Sequence, residues 1–308
     1  MTFQHETVLL HETVAALRPS PGGAWLDGTG GSGGHTALLL EQIHREGRIF
    51  TLDRDPDAIE ALTARFMREP AVTVLQGNFF QAKALLPGQA LRGVLLDLGV
   101  SSHQLDTAER GFSYHKEAPL DCRMSREGTT AAELVNTLPE TDLRQIFWEL
   151  GQEKFAGSIA GAIVRARVNN PIETTTQLAE IIANAVPAAA RRDGHPARKA
   201  FMALRYACNG ELDGLEQALL DLFDMLVPGG RIAVITFNSL EDAAVKRVTK
   251  QLCAGCVCPP DFPQCRCGRT PQARVPQKPI TPGAQELARN PRARSAKLRA
   301  LEKLTADN

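Results

Sequence analysis

Five glycines within seven residues, at positions 28, 30, 31, 33 and 34, constrain the fold of this chain more than any other feature. They directly follow an apolar strand pattern at Ala24–Asp27, and residues 35–43 after them have helical spacing. Glycine lets a backbone turn sharply and approach a ligand without obstruction by Cβ. The helix that begins there adds unpaired N–H donors and the positive end of its dipole. The pattern therefore predicts a strand–turn–helix unit with a ligand-binding turn.

An acidic residue lies where a nucleotide-binding turn would need one. Gly28, Gly30 and Gly33 fit the dinucleotide fingerprint, and Asp53 lies 20 residues beyond Gly33 at the end of a predicted strand. A carboxylate there can accept both hydroxyls of an adenosine ribose. Because NAD and S-adenosylmethionine both carry that ribose, these residues leave the two cofactors open. A turn that serves only packing is the remaining alternative.

Strand and helix patterns alternate after the turn. A strand at 48–53 is followed by a helix at 56–67 and by strands at 72–76 and 93–98. Strand, helix and strand at this spacing indicate parallel βαβ units with right-handed crossovers. We therefore expect an α/β fold with a mostly parallel, Rossmann-like sheet.

The alternation is interrupted once. Residues 129–207 are almost wholly helical in pattern, and a strand pattern returns only at 230–237. After residue 250 the composition shifts to Cys, Pro and Arg, which predicts an irregular segment whose arm from Lys278 onward orders on its partner. The expected parts are an α/β domain at 1–104 and 209–250, a helical insertion at 105–208 and a C-terminal extension at 251–308.

Two residues near the carboxyl ends of predicted strands are candidate ligand contacts. Asp97 ends the apolar run of the fourth strand. Open α/β sheets bind ligands at this edge, so position favours a ligand contact over a helix or turn cap. Phe79 follows the third strand and could stack on adenine, although a phenylalanine by itself is more often part of a core.

The charges are unevenly distributed although the formal net charge is zero. Residues 246–303 contain 13 Lys or Arg against three acidic residues. Such a segment is typical of a basic arm that meets a polyanion or of a solvated surface tail, and charge alone leaves both open.

Two features bear on location. No apolar run approaches the roughly 20 residues of a membrane helix. Residues 1–10 lack the basic and apolar regions of a signal peptide. We therefore expect a cytoplasmic protein without membrane contact.

Five of the seven cysteines lie in one run from Cys253 to Cys267. Without a secretion signal they are more plausible as thiols or metal ligands than as a disulfide framework. The run has enough thiols for a tetrahedral zinc site, but its Cys-x-Cys pairs differ from the common two-residue-spaced knuckle. The spacing leaves zinc open without favouring it, and we assign no metal ligand.

Several motifs together resemble one known family. Residues 97–106 read DLGVSSHQLD and are followed by RGFS at 110–113, by SLED at 239–242 and by NPRARSAKLR at 290–299. In this order, and nearly end to end, they are similar to the bacterial 16S rRNA (cytosine-N4) methyltransferase family, the RsmH/MraW group.

The resemblance implies a class I S-adenosylmethionine-dependent methyltransferase fold with an inserted helical domain. It implies that the partner is 16S rRNA or the small ribosomal subunit, modified near the decoding centre, and it leaves open whether the protein is a monomer or a homodimer. For the turn, Asp53 and Asp97 it agrees with the residue types, whereas Gln104 rests on the resemblance alone. The implied cofactor contacts are Gly33, Gly34, His35, Asp53, Phe79, Asp97 and Gln104.

Methyl transfer to a cytosine amine needs alignment and a group that accepts the amine proton. Asp97, or a backbone carbonyl after it, is our candidate acceptor, the alternative being that Asp97 only orients the cofactor. The target base must leave its stack to reach the pocket. The candidate RNA contacts are Arg123, Arg292 and Arg294 for phosphates and Asn238 for a base edge.

The chain departs from the family pattern at a few positions. Cys122 stands where the family usually has Met, Gln152 where it has Glu, and Asn238 where it has His. Because of these departures we retain a second hypothesis, in which the chain is a non-catalytic or retargeted RNA-binding paralogue that acts in ribosome assembly. A third, an NAD-dependent oxidoreductase that uses the same turn, is disfavoured by the helical insertion and the missing second nucleotide-binding half.

Overall fold

The computed structural model describes residues 7–189, 194–256, 258, 264 and 266–305. The chain forms two compact units. The sheet unit contains the described residues up to Gly99 and from Gly214 onward, and the helical unit contains Val100–Asp213. Within the described ranges, no helix is long and apolar enough to cross a membrane.

A seven-stranded sheet forms the centre of the sheet unit. Its strands in chain order are β1 (Ala24–Asp27), β2 (Arg48–Asp53), β3 (Val72–Gln76), β4 (Leu91–Asp97), β5 (Leu226–Thr236), β6 (Ala273–Arg274) and β7 (Lys297–Lys303). Across the sheet their order is β3-β2-β1-β4-β5-β7-β6. The pairs among β1 to β5 are parallel, and β7 is antiparallel to both of its neighbours. The expected α/β fold with a mostly parallel sheet is confirmed.

Thirteen α-helices lie in the described ranges, α1 to α4 and α11 to α13 in the sheet unit and α5 to α10 in the helical unit. They are α1 (Leu10–Leu17), α2 (Gly34–Gln42), α3 (Pro56–Phe66), α4 (Ala82–Leu85), α5 (Ser102–Asp106), α6 (Ala131–Thr137), α7 (Glu140–Glu149), α8 (Ala156–Arg167), α9 (Thr175–Ala185), α10 (Ala197–Asn209), α11 (Leu215–Asp224), α12 (Ser239–Cys253) and α13 (Ala284–Arg289).

The core of the sheet unit follows from the apolar strand runs. Leu39 of α2, Ile49 of β2 and Leu95 of β4 belong to one cluster and are fully shielded from solvent. Each parallel strand has side chains on two faces, and helices cover both faces in this kind of sheet. The carboxyl ends of β1 to β4 therefore remain the exposed edge at which polar groups can gather.

The C-terminal segment belongs to the sheet, which corrects the expectation of a separate extension at 251–308 with an arm that orders on a partner. β7 pairs with β5 over six residue pairs. Leu298 and Ala300 are buried, whereas Arg299 between them pairs with Asp242 at 2.6 Å. The composition of this segment did not reveal the strand, because its basic residues make the segment look like a solvated tail. They occupy alternate positions, and alternate side chains of a strand point to opposite faces, so the apolar residues between them can be buried.

The helical unit begins five residues before and ends five residues after the insertion expected at 105–208. Capping boxes set the starts of α6 and α9, where Thr130 and Thr174 accept backbone N–H groups of the first turn. The apolar faces of its helices meet around Phe147, Ile159 and Leu204, all fully shielded from solvent. This unit therefore has a hydrophobic core of its own.

Candidate active site

Backbone hydrogen bonds attach the glycine turn to the strands on both sides of β1. The N–H of Gly28 donates to the carbonyl of Leu95 in β4 at 2.9 Å, and the N–H of Gly30 donates to that of Leu52 in β2 at 2.7 Å. A Cβ on Gly30 would lie 2.4 Å from the hydroxyl oxygen of Thr51. Glycine is needed here because the sheet itself fills the space that a side chain would take.

Asp27, which the sequence analysis did not single out, holds the turn against α2. Its carboxylate accepts the hydroxyl of Thr36 at 2.7 Å and the N–H of Thr29 at 3.2 Å. Complete burial raises the pKa of Asp27 to about 6, although these hydrogen bonds oppose the shift. The position at the end of β1 was the available signal, since Asp53 and Asp97 end β2 and β4 in the same way.

Two backbone N–H groups fix the orientation of the Asp53 carboxylate. One carboxylate oxygen accepts the N–H of Gly31 at 2.8 Å, and the other accepts the N–H of Asp55 at 2.9 Å. Burial raises the pKa of Asp53 above its usual value, and the same two donors counteract it. A carboxylate oxygen has two lone pairs, so each oxygen retains acceptor capacity for a ligand hydroxyl.

Asp97 differs from Asp27 and Asp53 because its carboxylate Oδ1 accepts no hydrogen bond from the part of the chain that the structure describes. Its backbone N–H donates to the hydroxyl of Thr29 at 2.6 Å, which ties the end of β4 to the turn. Among the described residues, the buried Oδ1 of Asp97 has no hydrogen-bond partner. Burial, together with the negative charges of Asp27 and Glu241, raises the pKa of Asp97 to about 8. A buried acceptor left without a partner calls for an explanation, and a bound ligand supplies one.

Phe79 lies beside the turn as well. It begins a short 3₁₀ turn after β3, and its Cβ is 3.1 Å from the position that a Cβ on Gly28 would take. The ring meets Phe80 edge-on, with centroids 4.8 Å apart, and is half-buried. The structure thus brings Phe79, Asp53 and Asp97 to one edge of the sheet.

The remaining predicted cofactor contacts have different surroundings. Gly33 caps the start of α2 with φ 78°, Gly34 is the first residue of α2, and His35 is buried in that first turn. Gln104 belongs to the helical unit, where its Oε1 accepts the N–H of Ser101 at 3.0 Å and completes the capping box of α5. A cofactor contact from Gln104 stays a prediction.

Two of the predicted RNA contacts have internal partners. Arg123 makes a double hydrogen bond to Asp121, at 2.9 and 2.8 Å, and donates to the carbonyl of Gly128 at 3.1 Å. Asn238 caps α12, and its Oδ1 accepts the N–H of Leu240 at 2.8 Å. Asparagine is among the best N-cap residues, which gives the departure from the family pattern at this position a structural reason.

The other two predicted RNA contacts are exposed. Arg292 and Arg294 lie in the 3₁₀ turn Pro291–Ser295 on either side of Ala293, which is completely buried. The buried alanine anchors the turn and holds both side chains at the surface. Phosphate binding by these two arginines stays a prediction.

The stability of the ligand-free protein should fall as the pH rises from about 4 to about 8. Asp27 and Asp97 have folded-state pKa values of about 6 and about 8, above the ordinary 3.8. The folded state therefore binds these protons more tightly than the unfolded state, so their stabilising contribution is complete below about pH 4 and is lost as the pH passes through the folded values. Urea unfolding from pH 4 to 9 measures this. The loss between pH 6 and 8 should disappear in Asp97→Asn, and parallel curves for the two proteins would contradict the assignment.

The residues at this edge suit S-adenosylmethionine better than NAD. Asp53 can accept ribose hydroxyls, and the positive charge of a sulfonium would offset the negative charges that raise the pKa of Asp97. The pyrophosphate of NAD would bring further negative charge to an edge where Asp53 already raises the pKa of Asp27 and Asp27 raises that of Asp97. The carboxylates at this edge therefore fit a positively charged adenosine derivative.

Comparison with known proteins places the whole chain in one group. The family described as the MraW methylase family matches residues 2–304. A protein of Heliobacterium mobile named ribosomal RNA small subunit methyltransferase H is 47% identical over 312 residues, which cover 99% of this chain and 100% of that protein. A protein of the same name from Pelobacter propionicus is 50% identical over 310 residues, 98% of this chain and 99% of that protein. Among solved structures, an rRNA methylase from Streptococcus thermophilus has 11% identity and a TM-score of 0.42, with 99% and 100% of the two chains covered.

Proposed function

The chain belongs to the MraW methylase family, and from that premise we propose that it methylates the N4 amine of a cytidine in 16S rRNA near the decoding centre. Membership confirms the predicted family, the class I methyltransferase fold and the dependence on S-adenosylmethionine. The relatives' name supports a small-subunit rRNA substrate. The target atom and its position in the RNA are the proposal.

The observation that carries the proposal is the Oδ1 of Asp97, which is buried and has no hydrogen-bond partner within the described ranges. It lies at the end of β4, next to the glycine turn through the bond from the N–H of Asp97 to Thr29. An exocyclic amine carries two N–H groups and a lone pair delocalised into the ring, so it is a weak nucleophile. A carboxylate that accepts one N–H concentrates electron density on the nitrogen and can later take its proton.

The residues of the sheet edge divide the remaining work. When bound, S-adenosylmethionine supplies an electrophilic methyl group on a positively charged sulfur. The amides of the turn and the carboxylate of Asp53 would hold its adenosine, and Phe79 would cover the adenine face. Alignment of this kind can contribute about 7–11 kcal/mol to the rate. In the ligand-free protein the pKa of Asp97 is raised to about 8, and a positively charged sulfonium nearby would lower it. Asp97 would then be the carboxylate that accepts the N–H and takes the amine proton once the new bond has formed.

A methylation assay tests the proposal. Small ribosomal subunits and free 16S rRNA from a strain that lacks the enzyme would be incubated with radiolabelled S-adenosylmethionine and the purified protein, and mass mapping would locate the product. We expect one N4-methylcytidine near the decoding centre. Methylation of another base or atom would refute the target. Binding without incorporation would favour the non-catalytic paralogue, and thermal stabilisation by NAD alone would refute the cofactor.

The two exposed arginines should set part of the salt dependence of RNA binding. Replacing Arg292 and Arg294 together with alanine should reduce the slope of log K against log salt by about 1.4–1.8, since each neutralised phosphate contributes about 0.7–0.9. Filter binding between low and physiological salt measures the slope. Arg45→Ala, an exposed arginine paired with Glu69 at 3.2 Å, is the control and should leave it unchanged. An unchanged slope in the double variant would exclude both arginines from phosphate contact.

A further inference from the structure

The two ends of the segment between α12 and β6 lie next to each other. The N–H of Gln272 donates to the carbonyl of Leu252 at 2.8 Å, and the guanidinium of Arg269 donates to the carbonyl of Gln251 at 2.6 Å. The two ends of the segment are thus joined at the last turn of α12. Its described residues contain neither helix nor strand. A long connection without secondary structure needs some other source of order.

Three cysteines of this segment lie together. The Sγ atoms of Cys256, Cys258 and Cys267 all lie within 4.8 Å of one another, and those of Cys256 and Cys267 are 3.7 Å apart. Two thiolates on one tetrahedral zinc ion, each at about 2.3 Å from the metal, have sulfur atoms about 3.8 Å apart. A disulfide would need about 2.05 Å. The separation excludes a disulfide. It fits a hydrogen bond between two thiols, and it also fits two sulfurs that share one ion.

A backbone donor points to the same chemistry. The N–H of Arg266 donates to the Sγ of Cys258 at 3.4 Å. Hydrogen bonds to a sulfur stabilise its charged form, and such outer contacts accompany metal-bound ligands. Because zinc binds the thiolate rather than the thiol, a donor to Cys258 supports binding of a metal and not only packing.

The cysteines of this segment occur in pairs. Cys256 and Cys258 form one Cys-x-Cys pair, and Cys265 and Cys267 form a second after six intervening residues. Structural zinc sites bind the metal mainly through Cys and His side chains. Position 265 lies outside the described residues, so the site is assigned from the three cysteines whose sulfur atoms lie together. Cys253, which is described, does not belong to the three-sulfur group.

We propose that Cys256, Cys258 and Cys267 bind one structural zinc ion that orders this segment. Each thiol loses its proton as it binds the metal, so zinc uptake releases protons and depends on pH. The role of the ion is to hold the segment rather than to take part in methyl transfer. From the sequence alone, the Cys-x-Cys spacing did not favour zinc. In the structure, the short distances between the three sulfur atoms do favour it.

Metal analysis of the full-length protein tests the proposal. Protein purified from zinc-supplemented medium without chelators should contain one zinc ion per chain by plasma mass spectrometry. Cys256→Ser and Cys267→Ser should each lose the metal, since a hydroxyl is a poor zinc ligand. Cys253→Ser is the matched control from the same segment and should retain it. Zinc-free wild-type protein, or equal loss in Cys253→Ser, would overturn the proposal.

Cobalt substitution gives a second, independent measurement. Reduced protein stripped of metal and titrated with Co²⁺ alone should develop the intense visible bands of a tetrahedral thiolate site, and zinc should displace them. Far-UV circular dichroism and S-adenosylmethionine binding would establish that each serine variant is folded. A Cys256–Cys267 disulfide in protein kept under reducing conditions, or iron in place of zinc, would also overturn the assignment.

Discussion

Asp97→Asn should lower the kcat of methyl transfer to small-subunit rRNA by about 10²- to 10⁴-fold, the usual contribution of a positioned proton acceptor. Asparagine keeps the size and the planar shape of the side chain. Its amide cannot take a proton, however, and its NH₂ group can donate where the substrate amine also donates. The loss should appear in single-turnover rates with saturating S-adenosylmethionine, so that weaker cofactor binding is separated from slower chemistry.

The same variant should be more stable than the wild type near pH 8, by up to about 5 kcal/mol, because a neutral amide replaces a carboxylate whose pKa is raised by burial. This opposite effect on stability and rate separates loss of function from misfolding. Asp221→Asn is the control, since Asp221 is a carboxylate of α11 that pairs with Lys83 at 3.7 Å. It should retain the wild-type rate. A rate within threefold of the wild type for Asp97→Asn would show that another group accepts the proton.

Gly33→Ala should destabilise the protein by about 2–5 kcal/mol and weaken cofactor binding. Gly33 has φ 78°, which costs an alanine about 1–2 kcal/mol. A Cβ there would also lie 2.7 Å from the ring of Phe66 and 3.0 Å from Leu62 of α3. Overpacking of that kind adds about 1–3 kcal/mol. Relief of the contact by movement of α2 would displace the turn that we propose holds the cofactor.

Gly22→Ala provides a matched control for the backbone conformation. Gly22 has φ 79°, nearly the same as Gly33, but no atom lies within 4 Å of the position of its Cβ. It should therefore lose only the conformational part, about 1–2 kcal/mol. Urea unfolding of both variants measures the difference, and calorimetric titration with S-adenosylmethionine measures the effect on binding. Equal destabilisation of the two variants would mean that the packing of Gly33 against α3 contributes nothing.

The first half of the sheet could be predicted closely. The predicted strands at 24–27, 48–53 and 72–76 coincide with β1, β2 and β3. Each is a short apolar run followed by glycine or polar residues, so the sequence pattern that predicts the strand is local. The same local signal placed Asp53 and Asp97 at strand ends. Parallel strands bring their carboxyl ends to one edge of the sheet, whatever connects them, so the two residues could also be expected to lie near each other.

The C-terminal strand could not be predicted from composition. β7 is defined by its pairing with β5, and Arg231 meets Glu302 at 2.6 Å although 71 residues separate them. The described partners of both charges lie far away in the sequence: Arg231 also donates to the carbonyl of Ala16, and Glu302 also pairs with Arg274. A buried charge is tolerated only when it is paired, so these two residues select a long-range neighbour that no local pattern reveals.

The sequence by itself thus determined the family, the positions of the first strands along the chain and the residue types at their carboxyl ends, because those depend on local periodicity and on motifs. Only the tertiary structure decided that Asp97 keeps an oxygen without a partner among the described residues, that Asp27 supports the turn and that three cysteines share one point in space. The reason is physical. Burial, charge and metal geometry depend on distances between atoms, and the chain must fold before those distances exist.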